Sequence, residues 1–336
     1  MAGGDADERD RGAGPRAAGV SARPPRAGRA RAPLSVAAPV VKALRARRAV
    51  VALETTLVTH GLPHPEGLAA ALALEAEVTA AGAQPATIGV LEGRALVGLT
   101  RAELERLAGT RAVAKLNLSN LGARIASRGA GSTTVAATIQ IAALAGITVL
   151  ATGGLGSVHR GAAESGDVSS DLTALARHPV AVVCAGAKAV LDLPRTVERL
   201  ETLGVPVLGL ATDRFPAFYR RDSGLPVDAS FASLEALAAA IRAHWSLGAR
   251  TGVVVANPIP PEYEIPAPLY ETALERALAD AAARGVRGRE VTPFLLERLR
   301  ELTEGRSVFS NLALLRHNAH VAARLALALA APRRAR

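Results

Sequence analysis

Two apolar runs of the sequence are each followed by a short polar segment that carries candidate catalytic side chains. The runs are Ile147–Ala151 and Val180–Cys184, and their β-branched composition is typical of buried strands in a parallel sheet. Because ligands of open α/β sheets bind outside the carboxyl ends of the strands, we expect the polar residues that follow to share one active site. Those residues are His159, Arg160, Glu164, Asp167, Ser169 and Asp171 after the first run, and Lys188 after the second.

Lys188 is the side chain whose chemistry is most specific. The chain has 40 basic residues, yet only Lys42, Lys115 and Lys188 are lysines. A lysine amine can lose its proton and attack a carbonyl carbon, whereas an arginine guanidinium stays protonated. Lys188 also lies in an otherwise apolar turn, CAGAKAVLDL. We interpret it as a candidate nucleophile; the alternative is an ordinary surface charge.

Glu54 is the second candidate, because it ends the apolar segment Ala49–Glu54, a predicted strand. A carboxyl group at such a strand end is suited to proton transfer, although capping of the next turn is an equally simple interpretation. Hydrolysis of an ordinary O- or N-glycoside calls for two opposed carboxylates. A lysine with one carboxylate indicates imine chemistry on an aldehyde or ketone instead.

The sequence also contains a candidate phosphate site and a candidate metal site. Gly129–Thr134 (GAGSTT) precedes a predicted helix and resembles an anion-binding turn, but it lacks the Walker A lysine and could be a packing turn. The oxygen-rich group Glu164, Asp167 and Asp171, with His159 nearby, favours Mg²⁺ or Mn²⁺ over zinc. Capping of the following helix by Asp167 or Ser169 is an alternative role.

Charge and composition bound the class of ligand. The net charge is +10 in 336 residues, but residues 1–36 hold seven arginines against four acids, and three more arginines lie in residues 331–336. The rest of the chain is only mildly basic and has few aromatic residues on which bases could stack, so we expect a small anionic substrate and no specific nucleic acid. We predict a disordered tail over 1–36, a single catalytic domain over 37–330 and a basic tail over 331–336.

Cysteine usage and hydropathy bear on the compartment. The single cysteine, Cys184, lies in a predicted strand, which favours an inert buried thiol and a reducing cytoplasm. No signal peptide or membrane span is expected, because the most apolar stretch, 133–150, is interrupted by threonines, a glutamine and a glycine.

Strand and helix patterns alternate along the chain, which predicts a three-layer α/β/α sandwich around a mostly parallel or mixed sheet. A hairpin is expected to turn at Glu92-Gly93, and a helix is expected over Val135–Ala145. The last helix is predicted to span about 310–330, with Ser310 or Asn311 as its cap.

Several longer motifs resemble one family, the pseudouridine-5′-phosphate glycosidases, which include the indigoidine synthase A-like proteins. The resemblance runs in order from about residue 40 to 328. The motifs are VALETTLVTHGLPHPEG, GSTTVAATIQIAALAGI, ATGGLGSVHRG, DVSSDL, VVCAGAKAVLDL, VVANPIP and TPFLL.

The resemblance implies a reversible, lyase-type cleavage of the carbon–carbon bond of pseudouridine 5′-phosphate, which gives uracil and ribose 5-phosphate. By position, Lys188 matches the lysine that forms an imine with C1′ of the opened ribose, and Glu54 matches the proton donor. Asp167 matches the aspartate that binds Mn²⁺ through waters, and other divalent cations are possible. The residues that match substrate-contacting positions are Lys115, Val135, Ser169, Ser170 and Asp171, to which we add His159 and Asn311.

The resemblance also implies a homotrimer, and it has one departure. After the position of Lys115 the family often has a charged segment, S-R-R-D-L, where this chain has Asn-Leu-Ser-Asn-Leu at 117–121. The lost charge could alter phosphate affinity or a subunit contact. Two other functions stay open: a Schiff-base aldolase acting on another sugar phosphate, and a non-catalytic sugar-phosphate-binding module.

Overall fold

A computed structural model describes residues 33–62, 65–111, 113–188, 190–286 and 291–331. Within these residues the chain forms one mixed β-sheet with helices on both faces, which confirms the predicted three-layer α/β/α sandwich. Residues 1–32 of the predicted amino-terminal tail and the last five residues lie outside the described part of the chain.

The sheet has eleven strands among the described residues, in the order β1-β4-β3-β2-β7-β8-β11-β9-β10, with β6 also on β3 and β5 on β6. Seven neighbouring strands, from β3 to β10, run parallel, while β4 and β6 pair antiparallel with β3. The strands are β1 Leu34–Val36, β2 Val50–Leu53, β3 Gln84–Leu91, β4 Arg94–Val97, β5 Ala114–Leu116, β6 Gly131–Thr133, β7 Val149–Ala151, β8 Ala181–Cys184, β9 Val207–Leu210, β10 Ala229–Phe231 and β11 Val253–Ala256.

Helices cover both faces of the sheet. One layer includes α2, α9, α10, α11 and α12, and the other includes α1, α5, α7 and α8. The helices are α1 Ala38–Arg45, α2 Glu66–Ala80, α3 Arg101–Gly109, α4 Leu121–Ala126, α5 Val135–Ala145, α6 Ala162–Ser165, α7 Ser170–Arg177, α8 Leu193–Thr202, α9 Leu234–Ser246, α10 Ala267–Ala283, α11 Val291–Leu302 and α12 Arg306–Ala330.

The central strands are apolar along their whole length because both of their faces are buried. In β2, Val51 and Leu53 pack on the α2 and α12 side, whereas Val50 and Ala52 pack on the α5 side. Successive side chains of a strand point to opposite faces, so a continuous apolar run supplies both layers of the core. Cys184 ends one such run and is fully buried, and burial raises the pKa of its thiol to about 12. The predicted burial of this thiol is confirmed.

The central strands also keep their register beyond the ends of the sheet. The β7 and β8 strands pair in parallel, and the segments after them stay hydrogen-bonded to each other. Leu155 N donates to the carbonyl oxygen of Gly186 at 2.9 Å, and Lys188 N donates to that of Leu155 at 3.0 Å. These bonds fix the backbone that carries Lys188.

Two short strands were not expected from the sequence. Leu34–Val36, placed in the disordered tail, forms the edge strand β1 and pairs in parallel with β4. Three residues are too few to show a strand pattern, and the partner strand that stabilises them is distant in the chain. Gly131–Thr133, predicted as part of a glycine-rich turn, is the strand β6 for the same reason.

The predicted start of the last helix was wrong by one turn. The helix α12 begins at Arg306, after Gly305 with φ of +82°. Ser310 is therefore not a cap; its hydroxyl donates to the carbonyl oxygen of Tyr263. Asn311 lies inside the helix. In the described part of the chain, no helix combines the length and the apolar character needed to cross a membrane.

Gly186, two residues before Lys188, gives the first testable prediction. Its φ is +76°, and a Cβ atom there would lie 1.9 Å from the backbone oxygen of Pro216. Because a backbone carbonyl cannot rotate away, Gly186→Ala should lower the free energy of unfolding by about 2–4 kcal/mol, measured by equilibrium urea denaturation.

The matched control is Gly248, whose φ is +89° and where an added Cβ atom would meet nothing within 4 Å. In Gly248→Ala only the left-handed backbone is unfavourable, so this variant should lower the free energy of unfolding by about 1 kcal/mol. Equal losses in the two variants would contradict the close approach of Pro216.

Candidate active site

A cavity of 620 Å³ opens at the carboxyl ends of the central parallel strands. Arg160 and Glu164, which follow β7 and were expected to share the site, are not among the residues that line it. The structure brings to its wall every other residue that the sequence analysis gave a catalytic, substrate-binding or metal-binding role. These are Glu54, Lys115, Val135, His159, Asp167, Ser169, Ser170, Asp171, Lys188 and Asn311. Their placement agrees with the prediction, and their individual roles stay predictions.

Lys188 is half-buried in the segment that follows β8. Its positive charge acts on two neighbours: burial raises the pKa of Asp171 and the charge of Lys188 opposes that rise, whereas burial lowers the pKa of His159 and the charge of Lys188 lowers it further. The amine therefore lies among ionisable groups at the wall of the cavity rather than in bulk solvent. This is the environment that the sequence argument for a nucleophile required.

Glu54 is held by hydroxyl groups on both carboxyl oxygens. Thr152, after β7, donates to Oε1 at 2.5 Å, and Thr56 donates to Oε2 at 2.6 Å. The Thr56 hydroxyl also lies 2.6 Å from the carbonyl oxygen of Thr133. Two threonines therefore fix the orientation of this carboxyl group at the wall of the cavity.

Asp171 joins two parts of the site through its buried carboxyl group. Its Oδ1 accepts from Ala136 N, in the first turn of α5, and its Oδ2 accepts from Gly156 N, after β7, both at 2.8 Å. Burial raises the pKa of Asp171, while the charge of Lys188 and the two N–H donors oppose that rise. Asp171 lines the cavity, as predicted for a substrate contact, and its oxygens also hold the backbone around it.

The segment 167–171 is shaped by a cap and a glycine contact. Ser169 caps α7 by accepting from Asp171 N, as one of the two interpretations of the sequence proposed. A Cβ on Gly156 would lie 2.5 Å from the Ser169 hydroxyl oxygen and 2.8 Å from Asp171 Oδ2. Only glycine lets the β7 segment approach this turn so closely.

The oxygen-rich group of the sequence analysis is only partly assembled. His159 Nδ1 and Asp167 Oδ2 lie 3.6 Å apart at the cavity wall. Burial lowers the pKa of His159, the Asp167 carboxylate opposes this, and the charges of Lys188 and Lys115 lower it further. Among the residues that the structure describes, no three acidic, histidine or cysteine side chains form a metal-binding cluster.

A basic end of the cavity is formed by α5 and β5. Val135 is the first residue of α5, and its N-cap Thr134 accepts from Ala137 N. The amino end of a helix favours anions, and here the Asp171 carboxyl already accepts from Ala136 N. Lys115 lines the same cavity. The uncharged turn after Lys115 is closed by an internal hydrogen bond, in which Asn117 Oδ1 accepts from Ser119 N at 2.9 Å.

Sequence reasoning missed several cavity residues. His60 was left without a role, yet it lines the cavity from a π-helical turn, Leu57–Gly61, that begins three residues after Glu54. Thr56 and Thr152 were likewise unassigned. Thr56 lies two residues after Glu54, so its proximity in sequence could have indicated its role. Thr152 reaches Glu54 only because β7 pairs with β2.

The hydrogen bonds of Asp171 give the second prediction. Asn in its place keeps one acceptor oxygen but turns an NH₂ group toward a backbone N–H donor. Asp171→Asn should therefore lower the free energy of unfolding by about 1–3 kcal/mol in urea denaturation.

Asp192→Asn is the control, because Asp192 caps α8 through one oxygen and Asn caps equally well. It should change the free energy of unfolding by less than about 0.5 kcal/mol. If both variants were as stable as the parent protein, Asp171 would not clamp α5 to the β7 segment.

Known proteins similar to this chain fall into one group. The sequence profile of the indigoidine synthase A like protein family matches residues 39–328. A protein of Jannaschia sp. (strain CCS1), named pseudouridine-5′-phosphate glycosidase, is 52% identical over 88% of this chain and 98% of its own length. A protein of the same name from Chloroflexus aurantiacus is 54% identical, with the same coverage of each chain.

Two solved structures share the fold. The crystal structure of the prealnumycin C-glycosynthase, in complex with ribulose 5-phosphate, superposes with a TM-score of 0.83 at 38% identity and covers 88% of this chain and 97% of its own. An indigoidine synthase A-like protein of Thermotoga maritima gives a TM-score of 0.80 at 34% identity, covering 89% and 97%. With the profile match and the relatives at about half identity, the chain belongs to the indigoidine synthase A like protein family.

Proposed function

We propose that this protein cleaves the C-glycosidic bond of pseudouridine 5′-phosphate with water, reversibly, to give uracil and ribose 5-phosphate. The observation that carries the proposal is the meeting of Lys188 and Glu54 at one cavity, in a chain about half identical to relatives named for this activity. The neighbour in complex with ribulose 5-phosphate supports a sugar phosphate as the ligand.

The basic end of the cavity is suited to the phosphate group. Lys115 supplies a positive charge. At the amino end of α5, Val135 offers its backbone N–H, because Asp171 Oδ1 and the Thr134 hydroxyl already accept from the next two N–H groups. A substrate anchored there is held for reaction with Lys188, which reduces the entropy lost on the way to the transition state.

The proposed covalent step begins at C1′ of the ribose. The neutral Lys188 amine attacks C1′ and the C1′–O4′ bond breaks. The proton that the attacking nitrogen loses passes to O4′, so that the sugar ring opens. Glu54 then donates a proton to C5 of the uracil ring. The electron pair of the C1′–C5 bond passes to the protonated ring, while the nitrogen lone pair forms the C1′=N imine.

Water completes the reaction by adding to the protonated imine, which releases ribose 5-phosphate as the aldehyde and returns the amine of Lys188. The proton set free in this hydrolysis returns to the Glu54 carboxylate. Uracil is a poor carbon leaving group until C5 is protonated, so an acid beside the base is required. The threonine hydroxyls on both oxygens of Glu54 orient that acid. An ordinary two-carboxylate glycosidase mechanism is not needed.

A divalent cation, Mn²⁺ in the first instance, is part of the proposal. Asp167 offers a carboxylate at the cavity wall with His159 beside it, and such cations are often held by one carboxylate, waters and a substrate phosphate. The donor set fits a cation bound mostly through water. When bound, it would order water around the phosphate and offset negative charge.

Assembly and compartment complete the proposal. We expect a homotrimer, on the family resemblance, and a cytoplasmic location, which a phosphorylated substrate and a buried unpaired thiol favour. Sedimentation equilibrium of the purified protein tests the subunit count.

The imine gives the third prediction. Borohydride added with ribose 5-phosphate should attach the reduced sugar phosphate to the peptide that contains Lys188, detected as a mass increase. Lys188→Arg keeps the charge but cannot form an imine, so it should show no adduct and lose roughly a thousandfold or more in the rate of uracil release.

The outcomes separate the candidate functions. An adduct without uracil-dependent formation of pseudouridine 5′-phosphate would indicate an aldolase acting on another sugar phosphate. The absence of any adduct, with normal uracil release, would exclude the lysine mechanism.

The cation gives the fourth prediction. Excess chelator should abolish uracil release, and Mn²⁺ should restore it. Asp167→Ala should weaken Mn²⁺ binding at least about tenfold in titration calorimetry. Glu164→Ala is the control, since Glu164 is not among the residues lining the cavity, and it should bind Mn²⁺ like the parent. Full activity in excess chelator would remove the cation from the proposal.

A further inference from the structure

A pair of asparagines is buried behind the active site. Asn257 and Asn318 are 3% and 1% exposed, and neither lines the cavity. Asn257 follows β11, and Asn318 lies on α12. Burying two amide side chains in an apolar core is costly unless their groups are hydrogen-bonded. We call these two residues the amide pair.

The amide pair connects α12 with the ends of three strands. Asn318 Nδ2 donates to the carbonyl oxygens of Thr152, at 2.8 Å, and Gly153, at 3.3 Å. Its Oδ1 accepts from Asn257 Nδ2 at 2.8 Å. Asn257 N donates to the carbonyl oxygen of Cys184. Since the backbone carbonyls only accept, they fix which end of the Asn318 amide faces the strands.

A single residue, Thr152, lies between Asn318 and Glu54, the proposed acid. Its amide holds the backbone of Thr152, and the hydroxyl of the same residue donates to Glu54 Oε1. The Gly153 carbonyl oxygen also accepts from Ala185 N, in the segment that leads to Lys188. Displacement of this short piece of backbone would therefore move the donor that orients Glu54.

The same helix carries residues of the cavity wall. Asn311, Leu315 and Asn318 are spaced by four and three residues and so share one face of α12. Asn311 and Leu315 line the cavity. The hydrogen bonds of Asn318 hold α12 against the segment after β7, and so they also fix the position of Asn311 at the cavity wall.

We propose that Asn318 is a positioning residue for the reaction: it holds Thr152 so that the Thr152 hydroxyl orients Glu54 for proton transfer. This inference rests on the proposed function, in which Glu54 is the acid. Asn257 supports Asn318 from the other side but does not touch the Thr152 backbone through its own side chain.

A double-mutant cycle tests the proposal with full-length protein. Asn318→Ala and Thr152→Val should each lower kcat for uracil release by roughly 10- to 100-fold, with KM changed much less, because the acid is misplaced while the phosphate contacts remain. The double variant should lose only about as much kcat as Thr152→Val alone, within a factor of roughly two. If the kcat losses of the two single variants multiplied in the double variant, the proposal would be overturned, because Asn318 would then act independently of Thr152.

Asn257→Ala is the matched control for stability. It removes an equally buried amide and one hydrogen bond to Asn318, yet leaves both bonds to the Thr152 segment in place. It should lower Tm like Asn318→Ala but reduce kcat much less. An equal loss of kcat in the two variants would overturn the proposal. If Asn318→Ala does not fold, Asn318→Asp, which keeps the size and the acceptor for Asn257, takes its place with the same expectations.

A readout without substrate separates this inference from the proposed function. Hydrogen exchange of the backbone amides over 152–156 should speed up in Asn318→Ala and stay at the parent rate in Asn257→Ala. If the parent protein releases no uracil, the proposed function fails, and the exchange rates alone decide whether Asn318 holds this segment. Unchanged exchange in Asn318→Ala would overturn the positioning role.

Discussion

Parallel pairing of β2, β7 and β8 is the constraint on which the active site depends. Neighbouring strands lie about 4.8 Å apart, and parallel pairing makes their carboxyl ends meet at one edge. Glu54, Thr152 and Lys188 follow these three strands, so the fold alone brings them together. A slip of one residue would turn the side chains of a strand to the other face of the sheet.

Polar groups at this edge are held by protein partners rather than by bulk water. Glu54 is held by two hydroxyls, Asp171 by two backbone N–H groups, and the segment after β7 by Asn318. Groups fixed before the substrate arrives need little reorganisation during the reaction.

The distribution of lysines fits the same interpretation. Two of the three lysines, Lys115 and Lys188, line the cavity, in a chain that otherwise uses arginine. One lies at the end suited to phosphate, and the other is the proposed nucleophile. Burial lowers the pKa of His159, the Asp167 carboxylate opposes this, and the charges of the two lysines lower it further.

The sequence by itself determined the layered class, the central strands and the chemistry-bearing residues, because apolar runs and the types of residue that end them are local properties. Lys188 and Glu54 were found in this way. Tertiary structure alone decided that Leu34–Val36 is a strand and that Asn318 reaches the segment after β7. Each of these depends on a partner distant in the chain, and no pattern within a few residues encodes such a contact.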